Sequence, residues 1–305
     1  MYILLAVAIA FIVILSASAA SQTRAYYSFQ RLWGAYWPFR RGRGLPRLVR
    51  PLLKRSVPIW VQIEPGIKIL SDPDDLISRK ILETGVWDEA TWRAIEGHLS
   101  KGDTFIDVGA HEGYCSLKAA RVVGPSGHVI AIEANPEMVR TLRGNIQASG
   151  TGVVTVVPVA CSDSESTLDL FVAEHSNSGN SSLSERNASL AGTVRATYHV
   201  PARSLDAILQ ESRLLRVDVV KIDVEGAELL VLKGAEETLV RSRPILFVEL
   251  DDLLLSAMGT CSAEIVSFLA SRGYAMRGSY DDANFEFYPV TGQAPGRLEC
   301  STQQH

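Results

Sequence analysis

The densest cluster of reactive side chains lies in residues 217–228, VDVVKIDVEGAE, where Asp223, Glu225 and Glu228 follow an apolar run. A fourth acid, Glu249, closes a second apolar run, Ile245-Leu246-Phe247-Val248, with Asp251 and Asp252 just beyond it. One carboxylate after a strand is often no more than a good partner for a helix N-terminus. Several at one edge repel each other, and groups with perturbed ionisation are what proton-transfer chemistry uses. Asp223, with Glu225 and Glu249 in support, can take a proton from an acceptor or orient it. Asp223 with Glu249 could instead hold a divalent metal, although no His/Asp ligand spacing singles one out.

A second constellation is FIDVGAHEG, residues 105–113, an apolar strand running into a glycine turn and then a helix. Gly109 lets the chain turn tightly, and Gly113 permits close approach of helix and ligand. A dinucleotide turn would use G-x-G-x-x-G; here His111 stands between the two glycines, and Asp107 and Glu112 would repel a pyrophosphate. S-adenosylmethionine carries a sulfonium and an ammonium and no phosphate, so an acidic turn suits it better than a nicotinamide dinucleotide. A purely structural turn, with Glu112 facing the helix dipole, is the plain alternative. Glu133 ends the next apolar run about twenty residues past the turn, where an acid accepts hydrogen bonds from ribose hydroxyls. Asn135-Pro136 then opens a helix. Asp163, in Ala160-Cys161-Ser162-Asp163, could accept from the adenine amino group or simply form the turn of its Ser-Asp-Ser run.

These residues need strands to place them at one edge. Apolar runs predict strands at 103–108, 128–133, 153–157, 217–222 and 245–250, with helices near 112–122, 136–148, 204–211 and 226–241. Such alternation predicts a parallel sheet wound with helices on both faces, with ligands at the carboxyl ends of its strands. Residues 59–70 read as a hairpin turning at Glu64-Pro65-Gly66, and 86–99 as an amphipathic helix. Residues 174–195, a polar stretch, are placed to cover the acceptor. Asn177, Asn180, Ser181 and Ser182 there could hydrogen-bond sugar hydroxyls, or the stretch is a mobile loop. Asn180-Ser181-Ser182 and Asn187-Ala188-Ser189 match the N-glycosylation pattern, which is idle in the cytoplasm.

The 305 residues are 47% apolar and 21% charged, a globular composition. The four cysteines, Cys115, Cys161, Cys261 and Cys300, form no C-x-x-C pair, which fits a reducing compartment. The net charge of −4 is unevenly divided: residues 1–63 hold no Asp or Glu and nine Lys/Arg, leaving −13 for the rest. A body without a basic surplus excludes nucleic acid as its partner. Residues 1–20 carry no charge and are apolar through Leu15. They read either as a cleaved signal or as a membrane anchor, and the basic residues that follow them, interleaved with aromatics, favour an anchor holding the body in the cytoplasm. A disordered basic linker is the plain reading of residues 23–56. The expected organisation is a transmembrane anchor at 1–22, a basic aromatic linker at 23–56 that keeps residues 1–55 at the membrane, a catalytic domain at 57–292 and a tail at 293–305.

The motifs GDTFIDVGAHEGYCSLKAA, Glu133-x-Asn135-Pro136, ACSDSESTLDLFV, Pro201-Ala202-Arg203-Ser204-Leu205-Asp206, VDVVKIDVEGAELLVLKGA and RPILFVEL resemble the FkbM-type S-adenosylmethionine-dependent methyltransferases. The resemblance covers residues 67–274. It implies a doubly wound, mostly parallel seven-stranded Rossmann-like sheet, here expected to follow an N-terminal transmembrane helix. It also implies cofactor roles for Asp107, Gly109, Gly113, Glu133 and Asp163, and a reaction centre at Asp223, Glu225 and Glu249. The family usually has Asn at the position of His111, so altered contacts are expected there. Members with known roles are mostly O-methyltransferases of sugars and natural-product hydroxyls, which implies a small-molecule or glycan acceptor. The rival readings are a tethered binding protein with this fold and no turnover, and an N-methyltransferase of a peptide or lipid.

Overall fold

The computed structural model describes residues 57–290 apart from 191, 215, 281 and 282. The chain divides into two units. In the smaller, strands β1 (Ile59–Glu64) and β2 (Ile67–Ser71) pair antiparallel, as expected of 59–70. Alternation turns Ile59, Val61, Ile67 and Ile69 inward and leaves Trp60 out. Helix α1 (Leu76–Thr84) starts at Asp75, whose Oδ1 accepts the Ser78 N–H at 2.9 Å. Asp75 Oδ2 accepts from the Ser178 N–H at 3.0 Å and its hydroxyl at 2.7 Å, which ties 175–178 to this unit.

The larger unit runs α2 (Glu89–His98), β3 (Thr104–Val108), α3 (Tyr114–Val123), β4 (His128–Ile132), α4 (Pro136–Ser149) and β5 (Val154–Val157). There follow β6 (Ala160–Cys161), β7 (Ser166–Val172), α5 (Glu185–Ala188), β8 (Ala196–Arg203), α6 (Leu205–Ser212) and β9 (Val219–Ile222). The described residues close with α7 (Glu228–Lys233), α8 (Glu236–Arg241), β10 (Ile245–Glu249), α9 (Asp252–Ala257), α10 (Ser262–Ser271), β11 (Tyr274–Ser279) and β12 (Asn284–Pro289).

Seven strands form one sheet in the order β11-β12-β10-β9-β3-β4-β5. From β10 to β5 every pair is parallel, and β12 is antiparallel to both of its neighbours, so the sheet is mixed. Parallel strands covered on both faces are apolar throughout. On one face Ile106, Ile130, Val220 and Leu246 pack against Val231, Leu255, Ile265 and Leu269. On the other, Phe105, Val129, Val219 and Phe247 pack against Trp92, Ile95, Ala119 and Val123. A separate three-stranded sheet, β6-β8-β7, lay outside the pattern of apolar runs. The helix expected over 226–241 is two helices. Gly234 separates them, and a Cβ there would lie 2.0 Å from the Ser162 carbonyl oxygen.

One expectation is corrected. Among the described residues no helix is long and apolar enough to cross a membrane. The longest, α4, has 14 residues, or about 21 Å at 1.5 Å per residue against a hydrocarbon core of about 30 Å. The described residues form a Rossmann-like mixed sheet with no spanning helix among them, and the single-pass membrane location with the body facing the cytoplasm is withdrawn accordingly. The anchor at 1–22 and linker at 23–56 lie outside the described residues.

Candidate active site

β3 delivers the chain into a turn built from left-handed residues: Gly109 at φ +81°, His111 at φ +51° and Gly113 at φ +90°, the last capping α3. His is among the few side chains tolerated there, as Asn is. That accounts for a His where the family pattern has Asn. Glycine is required at 109, because a Cβ would lie 1.8 Å from the Asp223 carbonyl oxygen. The ends of β3 and β9 thus touch, and the glycine turn and the acid cluster become one site.

Glu133, at the end of β4, fastens that turn. Its Oε2 accepts the His111 N–H and its Oε1 the Asn135 N–H, each at 2.7 Å. Asn135 in turn caps α4, with Pro136 in the first turn. Burial pushes the Glu133 carboxyl up to about 7 despite these two donors. Asp107 lies buried behind the turn, its Oδ2 accepting the Ser116 hydroxyl at 2.6 Å, and burial raises its pKa as well.

A cleft at this edge is lined by Gly109, Glu133, Asp223 and Glu225, with Ser181 and Ser182 on its wall and Ile132, Val159, Leu170 and Leu183 as apolar surface. Four of the nine expected site residues therefore share one cleft. Asp107, His111 and Gly113 shape the turn beside it. Asp163 stands apart, exposed, with its Oδ1 accepting the Ser164 hydroxyl at 3.1 Å. The residues fit S-adenosylmethionine: an acid at the ribose position, apolar walls for a purine, and carboxylates for a cation.

At the reaction side, Asp223, Glu225 and Glu249 bring one carboxylate oxygen each to within 4.8 Å of one another. That spacing suits a shared acceptor hydroxyl, and it is also one a cation could bridge. Asp223 already has a cation, for its Oδ2 accepts from Lys221 Nζ at 2.8 Å. The Lys221 side chain is 8% exposed and that of Asp223 32%, so an acceptor can reach the acid but not the amine. Burial alone would lower the Lys221 pKa, but the carboxylates of Asp223 and Asp107 outweigh it and hold the ammonium charged. Burial, then the negative charge of Asp223, pushes the Glu225 and Glu249 carboxyls well above the usual range. Glu225 also sits at φ +56°, a conformation that costs a non-glycine residue about 1–3 kcal/mol. Glu228 turns back to accept the Val224 and Gly226 N–H groups at 3.0 and 3.2 Å, and burial raises it to about 7. An ion-paired carboxylate beside two carboxyls that favour their protons gives a proton acceptor flanked by hydrogen-bond donors.

Lys221 received no role from the sequence, although a lysine inside VVKI breaks an otherwise apolar strand and is the signal that marks it. Ser182, read as either a sugar contact or part of a mobile loop, has its hydroxyl donating to the Glu225 carbonyl oxygen at 2.7 Å.

A Rossmann-like sheet with an acidic glycine turn at its first central strand and an acid at the end of the next is a nucleotide-binding arrangement. Residues 107–276, more than half of the chain, match the methyltransferase FkbM domain, and the chain belongs to that family. The matched domain is a methyltransferase domain, and the residues of the cleft fit S-adenosylmethionine as its cofactor. Among curated proteins it is similar to the hexuronic acid methyltransferase AglP of Haloferax volcanii, 28% identical over 173 residues, 57% of this chain and 60% of that protein. It is also similar to a protein-L-isoaspartate O-methyltransferase of Ignicoccus hospitalis, 41% identical over 59 residues, 19% of this chain and 28% of that protein. The chain therefore spans less than two thirds of the length of either relative. A solved FkbM methyltransferase from Methylobacillus flagellatus aligns over 72% of this chain and 56% of that one, at 15% identity and a TM-score of 0.43.

Proposed function

We propose that the enzyme methylates a hydroxyl group of a sugar or glycan, with Asp223 as the base or acceptor-orienting residue and Glu225 and Glu249 flanking it. The observation that carries this reading is the ion-paired, solvent-reachable Asp223 beside two half-buried carboxyls, in contact with the glycine turn. The name of the Haloferax volcanii relative, a hexuronic acid methyltransferase, supports a sugar acceptor. Bound S-adenosylmethionine supplies an electrophilic methyl group on a sulfonium. The chain does the rest. Glu133 would accept the ribose hydroxyls, Asp107, Gly109, His111 and Gly113 shape the turn beside the cleft, and Asp163, which stands apart from the cleft, would be the candidate partner of the adenine amino group. Asp223 would orient the acceptor hydroxyl for attack on that methyl group and take its proton, a contribution of about 10²–10⁴-fold in rate.

The test is transfer of a labelled methyl group from S-adenosylmethionine to methyl glucoside, methyl glucuronide and a glucosamine glycoside. Methylation at oxygen supports the reading. Methylation at the glucosamine nitrogen alone, or of none of the three while a serine- or isoaspartate-containing peptide is modified, overturns it.

A further inference from the structure

Resting on that reading of Glu225, we propose that Asn187 and Ser182 are positioning residues that hold Glu225 at the reaction centre, so that residues 182–188 form a built wall of the site. Asn187 is fully buried. Its Nδ2 donates to the Glu225 carbonyl oxygen and to the Leu254 carbonyl oxygen, each at 2.9 Å. The Ser182 hydroxyl donates to the same Glu225 oxygen at 2.7 Å and accepts the Ser184 N–H at 3.1 Å. Two side-chain donors thus converge on the carbonyl of the one acid of the cluster held in a left-handed conformation.

The neighbouring residue shows how closely the wall is fitted. A Cβ on Gly226 would lie 2.6 Å from Asn187 Nδ2 and 2.7 Å from the Leu254 carbonyl oxygen. Only glycine there lets the amide close on both carbonyls. A primary amide supplies two donors from one planar nitrogen, which is what two facing carbonyls require. An aspartate would oppose both with acceptors. Ser184 Oγ accepts the Asn187 N–H at 3.4 Å and caps α5, which fixes the amide's direction. The burial of Asn187 also removes Asn187-Ala188-Ser189 as a glycosylation site in the folded protein.

The test is a double-mutant cycle on the full chain, with methyl glucoside and methyl glucuronide as acceptor probes. Asn187→Asp is expected to lower kcat at least tenfold while the Kd of S-adenosylmethionine stays within twofold. In a Glu225→Gln background the same change is expected to cost less than twofold, because no carboxylate remains to position. Losses that multiply in full overturn the inference and leave the reading of Glu225 standing. Full turnover by Glu225→Gln overturns the reading itself. If Asn187→Asp does not fold, Ser182→Ala removes the other donor and carries the same cycle. Hydrogen exchange needs no acceptor: Ser182→Ala is expected to lower protection at least tenfold at the amides of 224–228 and leave β3 and β4 unchanged, and unchanged protection at 224–228 overturns the clamp.

Discussion

The role proposed for Glu133 predicts that the affinity for S-adenosylmethionine depends on pH. The Glu133 carboxyl is held at about 7 by burial, and in the proposed role its ionised form is the one that would accept the two ribose hydroxyls. With that pKa the ionised fraction rises from about a tenth at pH 6 to about nine tenths at pH 8. The Kd for S-adenosylmethionine should therefore fall about tenfold over this interval, with proton release near pH 7. Titration calorimetry at five pH values, on the wild type and Glu133→Gln, reads both quantities. The cofactor's amino group and Glu228, also near 7, titrate in both proteins, so the difference between them isolates Glu133. The sign for stability follows from the same shift. A carboxyl raised on folding contributes stability that is full below its unfolded value near 4.5 and is lost as pH rises through about 7. The ligand-free wild type should accordingly lose up to about 3 kcal/mol more than Glu133→Gln between pH 4 and 8, at 1.36 kcal/mol per pK unit. An affinity with the same pH slope in both proteins refutes the reasoning.

Three further outcomes are expected. Gly109→Ala places a Cβ 1.8 Å from a backbone oxygen at φ +81°. The left-handed conformation and the overpacking together cost about 2–5 kcal/mol, so Tm should drop at least about 5 °C by calorimetry. Phe247→Ala empties a fully buried position flanked by the His98 and Tyr280 rings. Urea unfolding should show a loss of about 3–5 kcal/mol. Cys161 is buried with its thiol pushed up to about 12, whereas Cys261 is exposed, so maleimide followed by peptide mass spectrometry should label Cys261 at least about a hundred times faster in the folded protein.

The central strands were legible because parallel strands buried on both faces are short apolar runs, and the acids that end them stand out against those runs. The turn at 109–113 was legible for the same reason, since glycines and acids interrupt an apolar strand. The three-stranded sheet was not, because β7 and β8 are half-exposed, carry polar residues such as Asp169, Thr197 and His199, and obtain their pairing from each other at long range. The split between α7 and α8 was hidden too: Gly234 is set by the Ser162 carbonyl oxygen, a contact no local pattern contains. The wall at 182–188 read as a polar stretch because its hydroxyls and amides are the side chains of a solvated loop, and only the fold shows that Ser182 and Asn187 point inward. Asp163 shows the opposite limit. A carboxylate near a strand end looked like its neighbours, yet it lies exposed two residues beyond β6, which is outside the seven-stranded sheet.

The central claim, methyl transfer to a sugar hydroxyl at Asp223, is tested most directly by trideuteromethyl-labelled S-adenosylmethionine with methyl glucoside and methyl glucuronide, comparing wild type and Asp223→Asn. The account predicts a trideuteromethyl ether on a ring hydroxyl with the wild type. It predicts a turnover about 10²–10⁴-fold lower with the variant, at an S-adenosylmethionine Kd changed less than about threefold. Full turnover by Asp223→Asn would contradict it.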